Sequence, residues 1–243
     1  MLKPLLFAFG FLTRVPVPAG VFADTSAQAR SLACYPLVGA ALGAMLVGVA
    51  WSLRDAPPLL AAAVMLAVWV ASTGAMHLDG LADSADAWVG GLGDRERTLA
   101  IMKDPRSGPM AVSAVVLLLL LKFAALASLP PHAWGGLLLA PLLGRATLTL
   151  AFLTTPYARV LGMGTGLLHA RRGLCMTAVL ATAVVPFAFG MAGALVLAVT
   201  ALVFVLWRRA CLQRLGGFTG DTAGALAELV EAAAMVAWVL AIN

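Results

Sequence analysis

The stretch HLDGLADSADAW, residues 77 to 88, sets Asp79, Asp83 and Asp86 four and three residues apart. On a helix these positions share one face. Three carboxylates on one face repel one another, so a cation belongs among them. Oxygen-only ligands suit a hard cation, Mg²⁺ or Mn²⁺, better than zinc. Mg²⁺ held by one or two carboxylates commonly completes its shell with water and substrate phosphate. The cluster therefore points to metal-assisted chemistry at a phosphate or diphosphate. The bland alternative is a solvated helix end. Against it, the cluster directly follows an apolar run, and ionisable groups at membrane depth are functional by default. His77 can serve as a base or a phosphate hydrogen-bond donor; an interfacial structural histidine fits equally well.

Two other stretches carry chemistry. In RERTLAIMKDPRSGP, residues 95 to 109, Lys103, Asp104 and Arg106 stand in a turn enforced by Pro105 and Ser107–Gly108–Pro109. A Lys and an Arg opposite a metal cluster can clamp phosphate oxygens; the alternative is ordinary positive loop charge. In GGFTGDTAGALAELVEAA, residues 216 to 233, Thr219–Gly220–Asp221–Thr222 reads as a helix start with N–H groups free for an anion. Asp221 and Glu228 are seven apart and share a face. Glu228 would lie about 9–10 Å inside a span, where an unpaired charge costs at least ~2.5 kcal/mol. A metal, a proton or Arg145 in LLGRATL is expected to compensate it. Lys122, nearer the outer end of its run, is expected to snorkel.

The elements that must position these residues are apolar. The chain has 243 residues, 62% hydrophobic and 11% charged, with a mean hydropathy of +0.99. A soluble domain carries about 25% charged residues, so this composition predicts an all-α, polytopic transmembrane bundle in one domain, 1–243. Seven apolar runs stand out, at about 32–53, 58–77, 109–129, 133–153, 173–190, 192–207 and 222–242. Only FGMAG separates the fifth from the sixth, so the expectation is about seven spans, six to eight. Residues 1–31, interrupted by Arg14 and two prolines, read as a retained interfacial or re-entrant segment.

Of the sixteen Lys and Arg, thirteen fall in alternate segments on one side, one falls on the other side, and Lys122 and Arg145 lie within runs. The positive-inside rule then puts the N-terminus and the loops 78–108, 154–172 and 208–221 in the cytoplasm. The same rule accounts for the net charge of +5, and no basic helix with interleaved aromatics suggests nucleic acid. Cys34, Cys175 and Cys211 are isolated and suggest neither a disulfide framework nor a zinc site.

FLTRVPVP, HLDGLADSADAW, LAIMKDPRSGP, GRATL, YARVLGMG and GGFTGDTAGALAEL occur in the order seen in the adenosylcobinamide-GDP ribazoletransferases, or cobalamin 5′-phosphate synthases. The chain resembles that family from about residue 5 to residue 240. HLDGLAD and TGDTxGAxxEL are the specific elements, TRxPVP the weaker one. One departure is Pro105, where the family usually has Ser.

The resemblance implies a Mg²⁺-dependent enzyme of the bacterial inner membrane, with its active site facing the cytoplasm. Its substrates would be adenosylcobinamide-GDP and α-ribazole 5′-phosphate. Attack of the ribose hydroxyl would release GMP and form adenosylcobalamin 5′-phosphate. Asp79, Asp83, Asp86 and Asp221 are the candidate catalytic and metal-binding residues. His77, Lys103, Asp104, Arg106, Arg145, Thr219, Gly220 and Glu228 are the candidate substrate-binding residues. A homo-oligomer is compatible with the sequence.

Three other readings fit less well. A CDP-alcohol phosphotransferase wants Arg where Asp83 stands. A polyprenyl transferase wants an adjacent Asp pair, which is absent. A secondary transporter wants midplane carboxylates and an inverted repeat, whereas these acids gather at one face.

Overall fold

A computed structural model describes residues 2–159 and 164–243. Eleven α-helices are described, with no strands among these residues. They are α1 (Leu2–Leu12), α2 (Thr25–Ser31), α3 (Tyr35–Ser52), α4 (Pro58–Thr73), α5 (Met76–Gly90), α6 (Arg95–Ile101), α7 (Pro109–Ala127), α8 (Gly135–Thr154), α9 (Arg172–Val184), α10 (Gly190–Leu215) and α11 (Gly220–Ile242). Their starts follow local rules. Proline stands in the first turn of α3, α4 and α7, where its missing N–H is harmless. Asp24 caps α2 and Asp94 caps α6 through backbone N–H groups.

Five helical stretches are long and apolar enough to cross a membrane: Thr25–Ser52, Pro109–Ala127, Gly135–Thr154, Arg172–Leu215 and Gly220–Ile242. The pair α4 and α5, bent by 87°, makes a sixth if counted as one span. About seven are expected from the sequence. The difference lies in the fifth and sixth runs, which share the stretch Arg172–Leu215. A 3-10 turn at Val185–Phe189 and Gly190, at φ 61°, interrupt it without a loop. The helix α1, at 11 residues, is about 16 Å long and too short to cross about 30 Å of hydrocarbon.

Burial identifies the centre. In α8, 78% of the apolar window is buried, and in α11 61%, against 28% in α7 and 22% in Arg172–Leu215. The inner helices α8 and α11 therefore carry the bundle, and the outer ones face the apolar surroundings. Without a hydrophobic drive between helices in lipid, small residues must allow close packing. Gly39 and Gly43 of α3 do so: a β-carbon there would sit 2.3 Å from the Pro141 carbonyl oxygen and 2.9 Å from the Leu138 Cα.

The run read as 58–77 ends earlier, at an elbow. Gly74 (φ 63°) and Ala75 (φ 58°) are both left-handed, and the Ala75 N–H donates to Val70 O at 3.2 Å, a Schellman-type ending. The helix α5 starts at once. What reads as a long loop, 78–108, is thus mostly the helices α5 and α6. Arginines tie this region to the two other basic loops. Arg95 donates to Leu215 O and Ala158 O, Arg208 to Thr154 O, and Arg214 to Trp88 O. Residues 78–108, 154–159 and 208–221 therefore sit at one end of the bundle.

Candidate active site

The geometry of the acidic cluster begins with α5 on α11. These two helices touch backbone to backbone. A β-carbon at Gly80 would lie 2.6 Å from the Asp221 carbonyl oxygen, and one at Gly224 would lie 3.2 Å from the His77 Cα. The first turns of both helices, and the acids on them, are thereby brought together. Asp79 and Asp221 line one cavity of 190 Å³ with His77, Tyr157, Arg159 and Gly220. Asp83 is half-buried and lies within electrostatic reach of Asp79, Asp221 and Asp86, with Arg159 opposing them.

Arg159 was not among the residues singled out by spacing. Its guanidinium is 2.7 Å from the Asp221 carboxylate. A short backbone bridge holds it there: the Ala158 N–H donates to Phe218 O at 2.8 Å, and the Phe218 N–H to Pro156 O at 2.9 Å. Burial pushes the Tyr157 phenol above its ordinary value, so it stays protonated and able to donate. Phe152 stacks on Tyr157 and Phe218 packs edge-on against both, giving the cavity an aromatic wall. Val160 to Met163 of YARVLGMG lie outside the described residues.

The other expected residues have specific partners. Asp86 accepts from the N–H groups of Gly108 and Ala111, the latter at 2.9 Å, and so caps α7 from a neighbouring helix. Arg106 is tied to Asp104 by two hydrogen bonds of 2.9 and 2.7 Å, which hold the Asp104 carboxyl down at about 2. As it stands, Arg106 points its fork at its own loop rather than at the cavity. Lys103 is exposed. Thr219, expected to meet a phosphate oxygen, is fully buried. Its hydroxyl accepts from Thr222 N–H at 3.2 Å, while the Thr222 hydroxyl accepts from Thr219 N–H at 2.8 Å. This reciprocal cap fixes the start of α11, and only the N–H groups near Gly220 remain on the cavity side.

Deeper in the bundle the expected Arg145–Glu228 pair is rearranged. Arg145 pairs with Glu231, and Lys122 bridges Glu228 at 2.7 Å and Glu231 at 2.6 Å. Lys122 does not snorkel: it is 2% exposed and lies over the Trp69 ring. Two cations thus meet two carboxylates, which leaves the buried group neutral. Glu231, three residues beyond Glu228, occupies the adjoining part of the helix surface, and that is the part facing α8. Arg145 also lies 3.4 Å from His77 Nδ1, linking this group to the first turn of α5.

Among the described residues, no three His, Cys, Asp or Glu side chains converge on one point as they stand. The donor chemistry nonetheless suits Mg²⁺. Asp79 and Asp221 line one cavity, Asp83 lies within electrostatic reach of both, and the Arg159 guanidinium offsets only part of their charge, an excess that a divalent cation would relieve. A concavity of about 760 Å³ lies elsewhere, between α7, α10 and α11. Side chains such as Leu117, Val203 and Leu240 line it, and it offers no group for chemistry.

A family model described as cobalamin-5-phosphate synthase matches residues 4–239. A protein named adenosylcobinamide-GDP ribazoletransferase from Pseudomonas aeruginosa is 55% identical over 241 residues, 98% of each chain. Proteins of the same name from Stutzerimonas stutzeri and Ectopseudomonas mendocina are 52% and 50% identical, over 99% and 100% of each chain. No solved structure matches this chain.

Proposed function

The chain belongs to the cobalamin-5-phosphate synthase family, and from that premise we propose that it is an adenosylcobinamide-GDP ribazoletransferase of the bacterial inner membrane, with its site on the cytoplasmic side. The ribose hydroxyl of α-ribazole 5′-phosphate attacks the phosphorus next to the cobinamide. A new P–O bond forms, the diphosphate P–O–P bond breaks, the hydroxyl proton is lost and GMP leaves. The product is adenosylcobalamin 5′-phosphate.

The observation that carries this reading is the meeting of Asp79 and Asp221 at one cavity, from helices far apart in sequence, with Asp83 within electrostatic reach of both. Asp79, Asp83 and Asp221 would hold Mg²⁺, which supplies charge stabilisation at the phosphoryl oxygens. Arg159 lines the cavity and offsets the carboxylates. The N–H groups at the start of α11 favour an anion. The aromatic wall of Phe152 and Tyr157 suits a planar base and keeps water from one side of the cavity. Orientation follows from the basic loops gathered at this end of the bundle.

The test is release of GMP from adenosylcobinamide-GDP by the purified protein in lipid nanodiscs, with α-ribazole 5′-phosphate and Mg²⁺. Release is expected to require both substrates and to stop on chelation with EDTA. Release of GMP without the ribazole would make the protein a hydrolase, and activity unaffected by EDTA would remove the metal from the mechanism.

A further inference from the structure

The segment FLTRVPVP has no part in the site described so far, yet the fold brings its arginine to the elbow between α4 and α5. The Arg14 N–H donates to Ser72 O at 2.8 Å, which pins the segment to the last turn of α4. The side chain then runs across Gly74. A β-carbon at Gly74 would lie 1.9 Å from Arg14 Nε and 2.7 Å from its Cζ, so the guanidinium occupies the space that any other residue at position 74 would fill. The elbow needs Gly74 in the left-handed region; the empty space above it is a second reason for glycine, and Arg14 uses it.

The cavity begins on both sides of this contact. Phe11 and Leu12, just before Arg14, line it, and so do Met76, His77 and Asp79, just after Gly74. Arg14 is exposed and pairs with no carboxylate among the described residues. Five other arginines near this end are already engaged. Arg95, Arg208 and Arg214 hold backbone carbonyls, Arg106 holds Asp104, and Arg159 holds Asp221. Arg14 is therefore a planar, permanently charged fork with unused donors at the rim of a cavity read as a diphosphate site. Such a fork matches two phosphate oxygens at once.

We infer that Arg14 binds a phosphate group of the diphosphate substrate, and that Gly74 positions it by leaving room for the guanidinium. This deepens the proposed function and rests on it. The probe is GDP with Mg²⁺, titrated against the full chain in nanodiscs, with size-exclusion profile and helical content as folding controls. Arg14→Met is expected to weaken GDP binding by about 10- to 100-fold, the loss of a charge-assisted pair. Arg14→Lys keeps the charge but not the fork, and recovers only part of it.

Gly74→Ala removes no charge, yet should weaken GDP in the same direction by displacing the guanidinium. Combined with Arg14→Met it should add little, because the two act through one contact. A wild-type protein that binds no GDP would overturn the proposed function, and this inference with it. Wild-type binding that Arg14→Met leaves within twofold would overturn this inference alone. Full rescue by Arg14→Lys would also overturn the bidentate role.

Discussion

Replacing Gly80 by alanine adds one methyl group where α5 crosses α11. The new carbon would lie 2.6 Å from the Asp221 carbonyl oxygen and 3.1 Å from the Asp221 Cα. Both neighbours are backbone, so no side chain can swing away. A carbon–oxygen contact settles at about 3.3–3.6 Å, so the helices must separate by about 0.7–1 Å. Overpacking of this kind costs about 1–3 kcal/mol. Alanine returns about 1 kcal/mol in helix propensity, so the net loss of stability is small.

Activity has no such compensation, because Asp79 and Asp83 ride on one helix and Asp221 on the other. A misplacement of about 1 Å costs about 10²-fold in turnover. The assay is GMP release at saturating substrates, read beside thermal unfolding in the same nanodiscs. Gly48 on the outer face of α3, where a β-carbon would meet nothing within 4 Å, supplies the control: Gly48→Ala should leave turnover unchanged. Turnover of Gly80→Ala within twofold of wild type would refute the idea that the α5–α11 spacing sets the site.

Four further outcomes are expected. Asp79→Asn and Asp83→Asn should each cut turnover by about 10²-fold. The double variant Asp83→Asn/Asp221→Asn should lose little more than the worse single one, since groups acting together are non-additive; multiplicative losses would assign Asp221 to the fold. Lys122→Met leaves Arg145 alone against two buried glutamates and should destabilise the protein by about 3–5 kcal/mol, measured by thermal unfolding. A shift corresponding to less than about 1 kcal/mol would show that Glu228 and Glu231 find water or protons instead. In a chain with Cys34, Cys175 and Cys211 replaced, Ser107→Cys should resist a membrane-impermeant thiol reagent on intact cells; labelling from outside would reverse the orientation.

The acidic cluster was legible because its information is local. Asp79, Asp83 and Asp86 declare a common face by spacing alone, and Asp221 declares a helix start. Residues 58–77 were harder. Their apolar run continues through Gly74–Ala75, so composition reads one straight span where two left-handed residues make a bend. Partner choice was least legible. Glu228 and Glu231 lie three apart on α11, and only the packing of α8 and α7 decides that Arg145 faces Glu231 while Lys122 meets both. Asp86 looks the same as Asp83 in sequence, yet its acceptor capacity is taken by the first turn of α7. Arg159 was hidden among loop arginines whose charge the orientation rule already explained. The order of pairing in space carries no signature at sequence separations of sixty residues or more.

The neutral group of Lys122, Arg145, Glu228 and Glu231 has a consequence for how the chain is made. The two cations belong to α7 and α8, and both their counterions arrive with α11, which leaves the ribosome after them. Until then each cation faces hydrocarbon at a cost of about 2.5–3.5 kcal/mol. The half-built bundle is therefore held in an unfavourable state that α11 discharges. A chain that stalls before residue 228 would present two uncompensated charges inside the bilayer. The same helix that completes the charge balance also carries Asp221, so one packing event neutralises the buried cations and brings Asp221 beside Asp79.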